Sequence, residues 1–365
     1  LGWGVAAIGA SAGLMPEVAF LPGWLYQDPA VAQWDRDGYA NQWWHPLAAV
    51  SQLQPGQAVA LPLLGESLLL TRELDGVVRC FRNRCPHRGV ELMPADGAAL
   101  SCRKLICPYH GWTYNLEGEL LAAAREDGFV AALRRADWPL EALPVQQDGP
   151  LIWVALADSP IPLAQQLQLI HEQAGEQWQA PLQQQASSRL RLQCNWKVAH
   201  DNTLDDYHVA IAHPTTLHRE QGPVRDYRHL ISEMANALVT PYPEGGSFFT
   251  FGLPPWTHVL LWPDGRMALL EFLPLELSSC ELQLRLFASS DHPLDVEIWK
   301  QQLLEFLQED RRLVESVQLG YRADWVPGPV HQLEQRIVQW QQLYQRMLAE
   351  AQLSQEPLRS QSAIN

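Results

Sequence analysis

The chain has 365 residues, 47% of them hydrophobic, which is enough for two packed domains because single cores rarely grow much beyond about 250 to 300 residues. Asp plus Glu outnumber Lys plus Arg by 41 to 26, and the net charge of -15 disfavours nucleic acid and anionic membrane surfaces as partners. No run approaches the roughly 18 consecutive apolar residues of a spanning helix, and six cysteines in a long chain without a secretory leader point to metal binding over a disulfide framework.

Residues 1–40 form an N-terminal segment. Its opening stretch, Leu1 to Leu14, is small and apolar with no Lys or Arg before Arg36, so the basic start of a secretion signal is missing and a cytoplasmic chain is expected. These first residues read as an upstream extension with no structural role. Residues 41–155 show short apolar runs, Ala58 to Leu64, Ser67 to Thr71 and Val77 to Phe81, separated by Gly, Pro and Asp turns; the pattern predicts a small antiparallel β domain.

Past a boundary near residue 155 the chain is Gln-rich and weakly helical from Leu163 to Trp178. A strand is expected at about Ser188 to Cys194, a helix from Trp196 towards His213, strands between Ala237 and Phe287, and helices at about Leu294 to Gly320 and Val330 to Leu353. Residues 156–365 thus form a second, larger domain with an antiparallel sheet surrounded by helices, and the fold class is α+β. The Gln-rich stretches at 165–185 and 332–345 carry no legible chemistry.

Two short loops in the first domain each offer one thiol and one imidazole: Cys85-Pro-His87-Arg-Gly89 and Cys107-Pro-Tyr-His110-Gly111-Trp, with 19 residues between His87 and Cys107. A Cys2His2 zinc finger places both thiolates in one knuckle and both imidazoles in the other, whereas here each loop mixes the two. That order favours a two-iron centre in which two thiolates hold one iron and two imidazoles the other. A structural zinc site is the alternative at this point. Gly89 and Gly111 let the backbone turn tightly beside the ligands, and Cys80 and Cys102, outside the pattern, read as buried thiols.

In the second domain, the segment from Asn195 to Pro214 carries His208 and His213 near several acids. Five residues apart, the two would point about 140° away from each other on an unbroken helix. Pro214 pushes His213 out of the helical region and lets its ring swing towards the first. Asp205, three positions before His208, is placed to accept from the ring nitrogen that does not bind metal. Two histidines and a carboxylate make the facial triad of a non-haem iron(II) site, and the best third ligand is Asp310, which falls inside the apolar stripe Leu303, Phe306, Leu307, Leu313, Val314, Val317. A carboxylate there needs a cation, so a buried ion pair, with Arg311 or a distant Arg, is the competing reading. Glu305 and Glu309 fall on the polar side. Phe248, Phe249, Phe251, Trp256 and Trp262 are read mainly as sheet core, with an aromatic cage for a quaternary ammonium group as the other use.

Taken together, the Cys-x-His and Cys-x-x-His loops, the Asn195-Trp-Lys and Asp205-x-Tyr-His208-x4-His213 stretch, and the late helix with its acid resemble the Rieske non-haem iron oxygenase α subunits. Among these ring-hydroxylating and related enzymes, the choline- and carnitine-oxidising members look nearest. The resemblance implies a mono- or dioxygenase that hydroxylates, dihydroxylates or oxidatively dealkylates an aromatic compound or a quaternary amine. It implies a Rieske [2Fe-2S] cluster on Cys85, His87, Cys107 and His110, a mononuclear Fe(II) on His208, His213 and Asp310, and Asp205 as a bridge between His208 and His110 of a neighbouring subunit. It further implies a head-to-tail homotrimer using O2 and a separate NAD(P)H-dependent reductase or ferredoxin, since no Gly-x-Gly-x-x-Gly fingerprint follows a strand. The rival reading is a Rieske electron-transfer protein without oxygenase activity.

Overall fold

The structure, a computed structural model, describes residues 19–321 and 325–361, so the extension expected at residues 1–14 lies outside it. Strands before residue 156 form three antiparallel sheets. One joins Trp44–Ala49, Leu151–Ala155 and Val145–Asp148; a second runs Leu100–Ser101, Gln57–Leu63, Glu66–Arg72, Val78–Arg82, Ala142–Leu143; the third pairs Leu105–Ile106, Thr113–Tyr114 and Leu120–Ala122. The period of two divides the second sheet's side chains cleanly. Leu69, Phe81 and Ala58 face a core that holds Cys85, Cys107 and Trp112, while Leu68, Leu70 and Val59 face another against Ile152 and Val154.

The second half is built on one seven-stranded antiparallel sheet in the order Gln183–Leu192, Ser279–Ala288, Met267–Glu276, Thr257–Leu261, Ser247–Leu253, Asn236–Pro241, Arg228–Ile231. The chain enters at one edge, crosses to the other through residues 193–227, and meanders back by hairpins. That single long crossing carries Asp205, His208 and His213.

Both faces of this sheet are covered, which is why strands such as Thr257–Leu261 are buried at every position. Leu260, Leu270, Leu282 and Leu284 point to a core shared with the helices Trp196–Leu204, Val296–Gly320 and Gln335–Gln361. Val259, Leu261, Leu269 and Phe287 point the other way, onto Trp44, Trp153, Ile170 and Trp178. Phe248, Phe249, Phe251, Trp256 and Trp262 are all buried in these cores. The architecture is α+β as expected, and among the described residues no helix is long and apolar enough to cross a membrane.

Two expectations are corrected. The helix expected from Trp196 towards His213 is broken: it ends at Leu204, residues 205–208 are non-helical, and a short helix spans Val209–Ala212. In the Val296–Gly320 helix, Leu313 and Val317 are 41% and 40% exposed, so the stripe behind Asp310 is Trp299, Leu303, Phe306, Leu307 and Val314. The glutamines also have a structural use. Gln166, fully buried, donates to the carbonyls of Trp44 and Pro254 and accepts from the Trp44 amide, closing the seam between the two halves.

Buried charges fasten the helices. Lys197 pairs with Asp35, which also accepts from Trp196 Nε1 at 2.9 Å and Tyr344 Oη at 2.6 Å. Arg336 donates to Asp206 at 3.0 Å and to the carbonyl of Thr250 at 2.9 Å. Lys197→Met should therefore leave the Asp35 carboxylate buried with only neutral donors and cost roughly 3 kcal/mol or more, seen as a lower urea midpoint; an unchanged midpoint would mean that this pair does not hold the helices.

Candidate metal centres

The first centre grows from two loops of the same design. The amide of Gly89 donates to the carbonyl of Cys85 at 2.8 Å and that of Gly111 to the carbonyl of Cys107 at 3.0 Å, closing a tight turn around each imidazole. Both glycines have positive φ, 76° and 68°, where a side chain would be strained. The turns present Cys85 and Cys107 inward, 1% and 2% exposed, and leave His87 and His110 half-buried at the rim. The two imidazoles lie 4.6 Å apart between ring centroids, and His87 stacks on Trp112 at 4.9 Å.

The Nδ1 atoms of His87 and His110 are buried without a hydrogen-bond partner. Orphaned nitrogens of this kind on two facing rings are free to ligate. Burial, and then the neighbouring His110 and Arg88, hold the pKa of His87 below its ordinary value, which favours the neutral, ligating form. Burial pushes the Cys85 thiol up, with Cys107 adding to it, a cost that bound cations would relieve. Among the described residues, only His208, His213 and Asp310 bring three such ligand atoms within 4.8 Å of one another. The four cluster-loop ligands do not converge on one point as a tetrahedral zinc would require, whereas ligands divided between two irons need not. The donor set therefore fits a [2Fe-2S] cluster.

The second centre lies between the crossing segment and the Val296–Gly320 helix. His213 Nε2 is 2.9 Å from Asp310 Oδ1 and 3.2 Å from His208 Nε2, and His208 Nε2 is 3.4 Å from the same Asp310 oxygen. Bonds of about 2.1 Å at right angles put donor atoms about 3 Å apart, so this triangle matches one face of an octahedron. His213 caps the Val209–Ala212 helix with φ -123° and ψ 47°, outside the helical region, as its place before Pro214 requires.

Asp205 reaches His208 by a route other than a shared helical face. It is the extended cap residue of the Trp196–Leu204 helix, and its Oδ1 accepts from the amides of Tyr207 at 2.7 Å and His208 at 3.3 Å, holding the turn that starts the next helix. Its Oδ2 lies 3.4 Å from His208 Nδ1 without making the hydrogen bond expected from the sequence, and that buried nitrogen has no other partner. The neighbouring acid, Asp206, turns away to Arg336 and His229.

Burial alone would lower the pKa of His208, but Asp205 and Asp310 outweigh it and raise it to about 10. Against the pull of burial, the same imidazoles hold the Asp310 carboxyl below its ordinary range. A cation at the centre takes the place of those ring protons. Arg311 pairs with Glu315 instead of Asp310, so the ion-pair reading of Asp310 with that neighbour fails.

Three participants were missed from sequence. Asn202 donates to Asp310 Oδ1 at 2.8 Å, and Glu309, assigned to the polar side, accepts from His213 Nδ1 at 2.7 Å and from Thr216 Oγ1 at 2.8 Å. No local signal marks them, because each partner is distant in the chain. Beside the triad is a narrow cavity of about 30 Å³, walled by Val209, Leu217, Leu260, Leu270, Phe306 and Leu307 together with Thr203, Gln221 and Thr250. A larger one, about 570 Å³, opens on the other side of Asn202 and Asp205 and is lined by Tyr207, Tyr321, His331 and Glu334. Of the five aromatics considered for a cage, none lines the inner cavity.

Similar proteins span both halves of the chain. Residues 43–133 match the Rieske [2Fe-2S] domain family and residues 179–229 the catalytic domain of ring-hydroxylating α subunits. The carnitine monooxygenase oxygenase subunit of Acinetobacter pittii is 26% identical over 336 residues, spanning 84% of this chain and 87% of that one. The solved structure of a quaternary ammonium Rieske monooxygenase superposes with a TM-score of 0.81 at 24% identity, covering 91% of this chain and 96% of that one. Naphthalene 1,2-dioxygenase from a Rhodococcus species superposes at 0.72 and 20% identity, covering 91% and 95%. These two show a shared fold.

The buried hydroxyl of Tyr114 is 3.4 Å from Cys85 Sγ, and burial together with Cys85 keeps it protonated as a donor. A hydrogen bond to a cluster sulfur favours the reduced, more negative form. Tyr114→Phe should lower the midpoint potential by on the order of 40 mV, about 1 kcal/mol for one electron, with the cluster retained. A potential unchanged in redox titration would show that the hydroxyl does not reach the cluster.

Proposed function

We propose that this chain, a member of the Rieske non-haem iron oxygenase α-subunit family, is an oxygenase component that hydroxylates, dihydroxylates or oxidatively dealkylates a small organic substrate, its cluster held by residues of 41–155 and its mononuclear iron by residues of 156–365. The observation that carries this is the convergence of His208, His213 and Asp310 in a chain that also carries the two Cys and His loops. A pure electron carrier has no use for a second, three-ligand metal face.

When bound, the cluster supplies electrons one at a time and the mononuclear iron supplies the open positions at which oxygen is activated. In this assignment Cys85 and Cys107 hold one cluster iron and His87 and His110 the other. His208, His213 and Asp310 hold the mononuclear iron, and Asn202 fixes the Asp310 carboxylate. Val209, Leu217, Leu260 and Leu270 form the aliphatic side of the site and limit water beside the metal position.

Asp205 stands where the inner and outer cavities meet. We assign it to orient His208 and to meet His110 of a neighbouring copy in a head-to-tail homotrimer, with the outer cavity as the point of approach. One solved relative is described as transferring electrons between subunits, which supports the arrangement. Electrons come from a separate NAD(P)H-dependent reductase or ferredoxin, and we place the protein in the cytoplasm. The relatives suggest two substrate classes, quaternary amines from the carnitine monooxygenases and small aromatics from the naphthalene dioxygenases.

The test is turnover under 18O2 with NADH, a reductase, and a panel of quaternary amines and small aromatics. The expected result is substrate-dependent oxygen uptake with label in the product; fully loaded protein that labels no substrate would leave an electron carrier. In the same assay Asp205→Asn, which keeps the Oδ1 acceptor for the Tyr207 and His208 amides, should keep both metals and lose roughly 10- to 100-fold in turnover, and full activity would remove Asp205 from the path between subunits.

A further inference from the structure

Glu309 is held by two hydrogen bonds that its place in the sequence does not foretell. Consecutive residues on a helix point about 100° apart, yet Glu309 and Asp310 both reach His213, one at each ring nitrogen: Asp310 Oδ1 at Nε2, 2.9 Å, and Glu309 Oε2 at Nδ1, 2.7 Å. His213 is fully buried, whereas the Glu309 side chain is 39% exposed, so the acid reaches in from the rim of the site. The same Glu309 oxygen accepts from Thr216, three residues beyond His213, which ties the loop after Pro214 to the carboxylate. Among the described residues Glu309 has no Lys or Arg within ion-pair distance, and its charged partner is His213.

We propose that Glu309 is a positioning residue for the mononuclear metal: it holds the His213 proton on Nδ1 and fixes the ring plane, so that the Nε2 lone pair points at the ion. This rests on the reading that His208, His213 and Asp310 bind a metal. A neutral imidazole carries its proton on one nitrogen or the other, and the hydrogen bond made by the far nitrogen decides which. The two histidines are served differently. Asp205 spends its Oδ1 on two backbone amides and sits 3.4 Å from His208 Nδ1, while Glu309 gives His213 the shorter contact. Of the two ligands, His213 is the more firmly preset.

The test is an anaerobic Fe(II) titration of protein with its cluster intact and its mononuclear site emptied, comparing wild type, Glu309→Leu, Glu309→Gln and Thr216→Val. Glu309→Leu should weaken Fe(II) binding roughly 10- to 100-fold, with the cluster's spin-resonance signal unchanged. Glu309→Gln keeps an acceptor for Nδ1 and should recover most of the affinity, and Thr216→Val should fall between. Glu309→Leu and wild-type proteins binding Fe(II) within about threefold of each other would overturn the proposal. So would Glu309→Gln failing as badly as Glu309→Leu with a matching drop in melting temperature, which would make the role structural. Wild type that takes up no Fe(II) overturns the oxygenase reading itself, and this inference with it.

Discussion

The carboxylate of Asp310 stands on the inward side of a 25-residue helix, between two imidazole nitrogens and the amide of Asn202. A charge in that place is costly unless a cation answers it, and the surroundings are arranged to supply that answer. Two histidines converge on it from a segment that breaks twice within ten residues, and the breaks have separate causes. Asp205 folds back on the amides of Tyr207 and His208, and Pro214 ends the next short helix at His213. The irregularity of this segment is what aims two rings at one point.

Such a segment needs rigid walls. The seven-stranded sheet supplies one and the Val296–Gly320 helix the other, and buried charges fix how they meet. Asp35 with Lys197 pins the start of the helix that precedes the histidines, and Arg336 with Asp206 pins the turn between them. Asp206 lies one residue from Asp205 and two from His208, and Lys197 lies five before Asn202 on the same helix. Their worth is in position, since a buried ion pair gains little net stability over a well-packed apolar substitute.

The cluster loops were legible in the sequence because everything that defines them is local: a thiol, an imidazole and a glycine within five residues, twice. Asp310 was legible because it interrupts an apolar stripe, although the stripe was drawn too long; Leu313 and Val317 are exposed instead of continuing the core, and Val317 lines the outer cavity. The break at 205–208 was not legible, since no Gly or Pro marks it and the side chain that makes it is an aspartate. Glu309 was misplaced for a different reason. Helical periodicity puts it on the polar face, and only the arrival of His213, 96 residues earlier in the chain, gives that face something to bind. The buried glutamines were hidden the same way, as composition records their polarity but not the backbone groups they satisfy.

The two centres stand or fall on composition before any assay of turnover. The direct measurement is iron, zinc and acid-labile sulfide per chain in anaerobically prepared protein, with a spin-resonance spectrum after reduction. The account predicts about three irons and about two sulfides per chain with a Rieske-type signal. Zinc without sulfide, or about two irons that added Fe(II) does not raise, would contradict it.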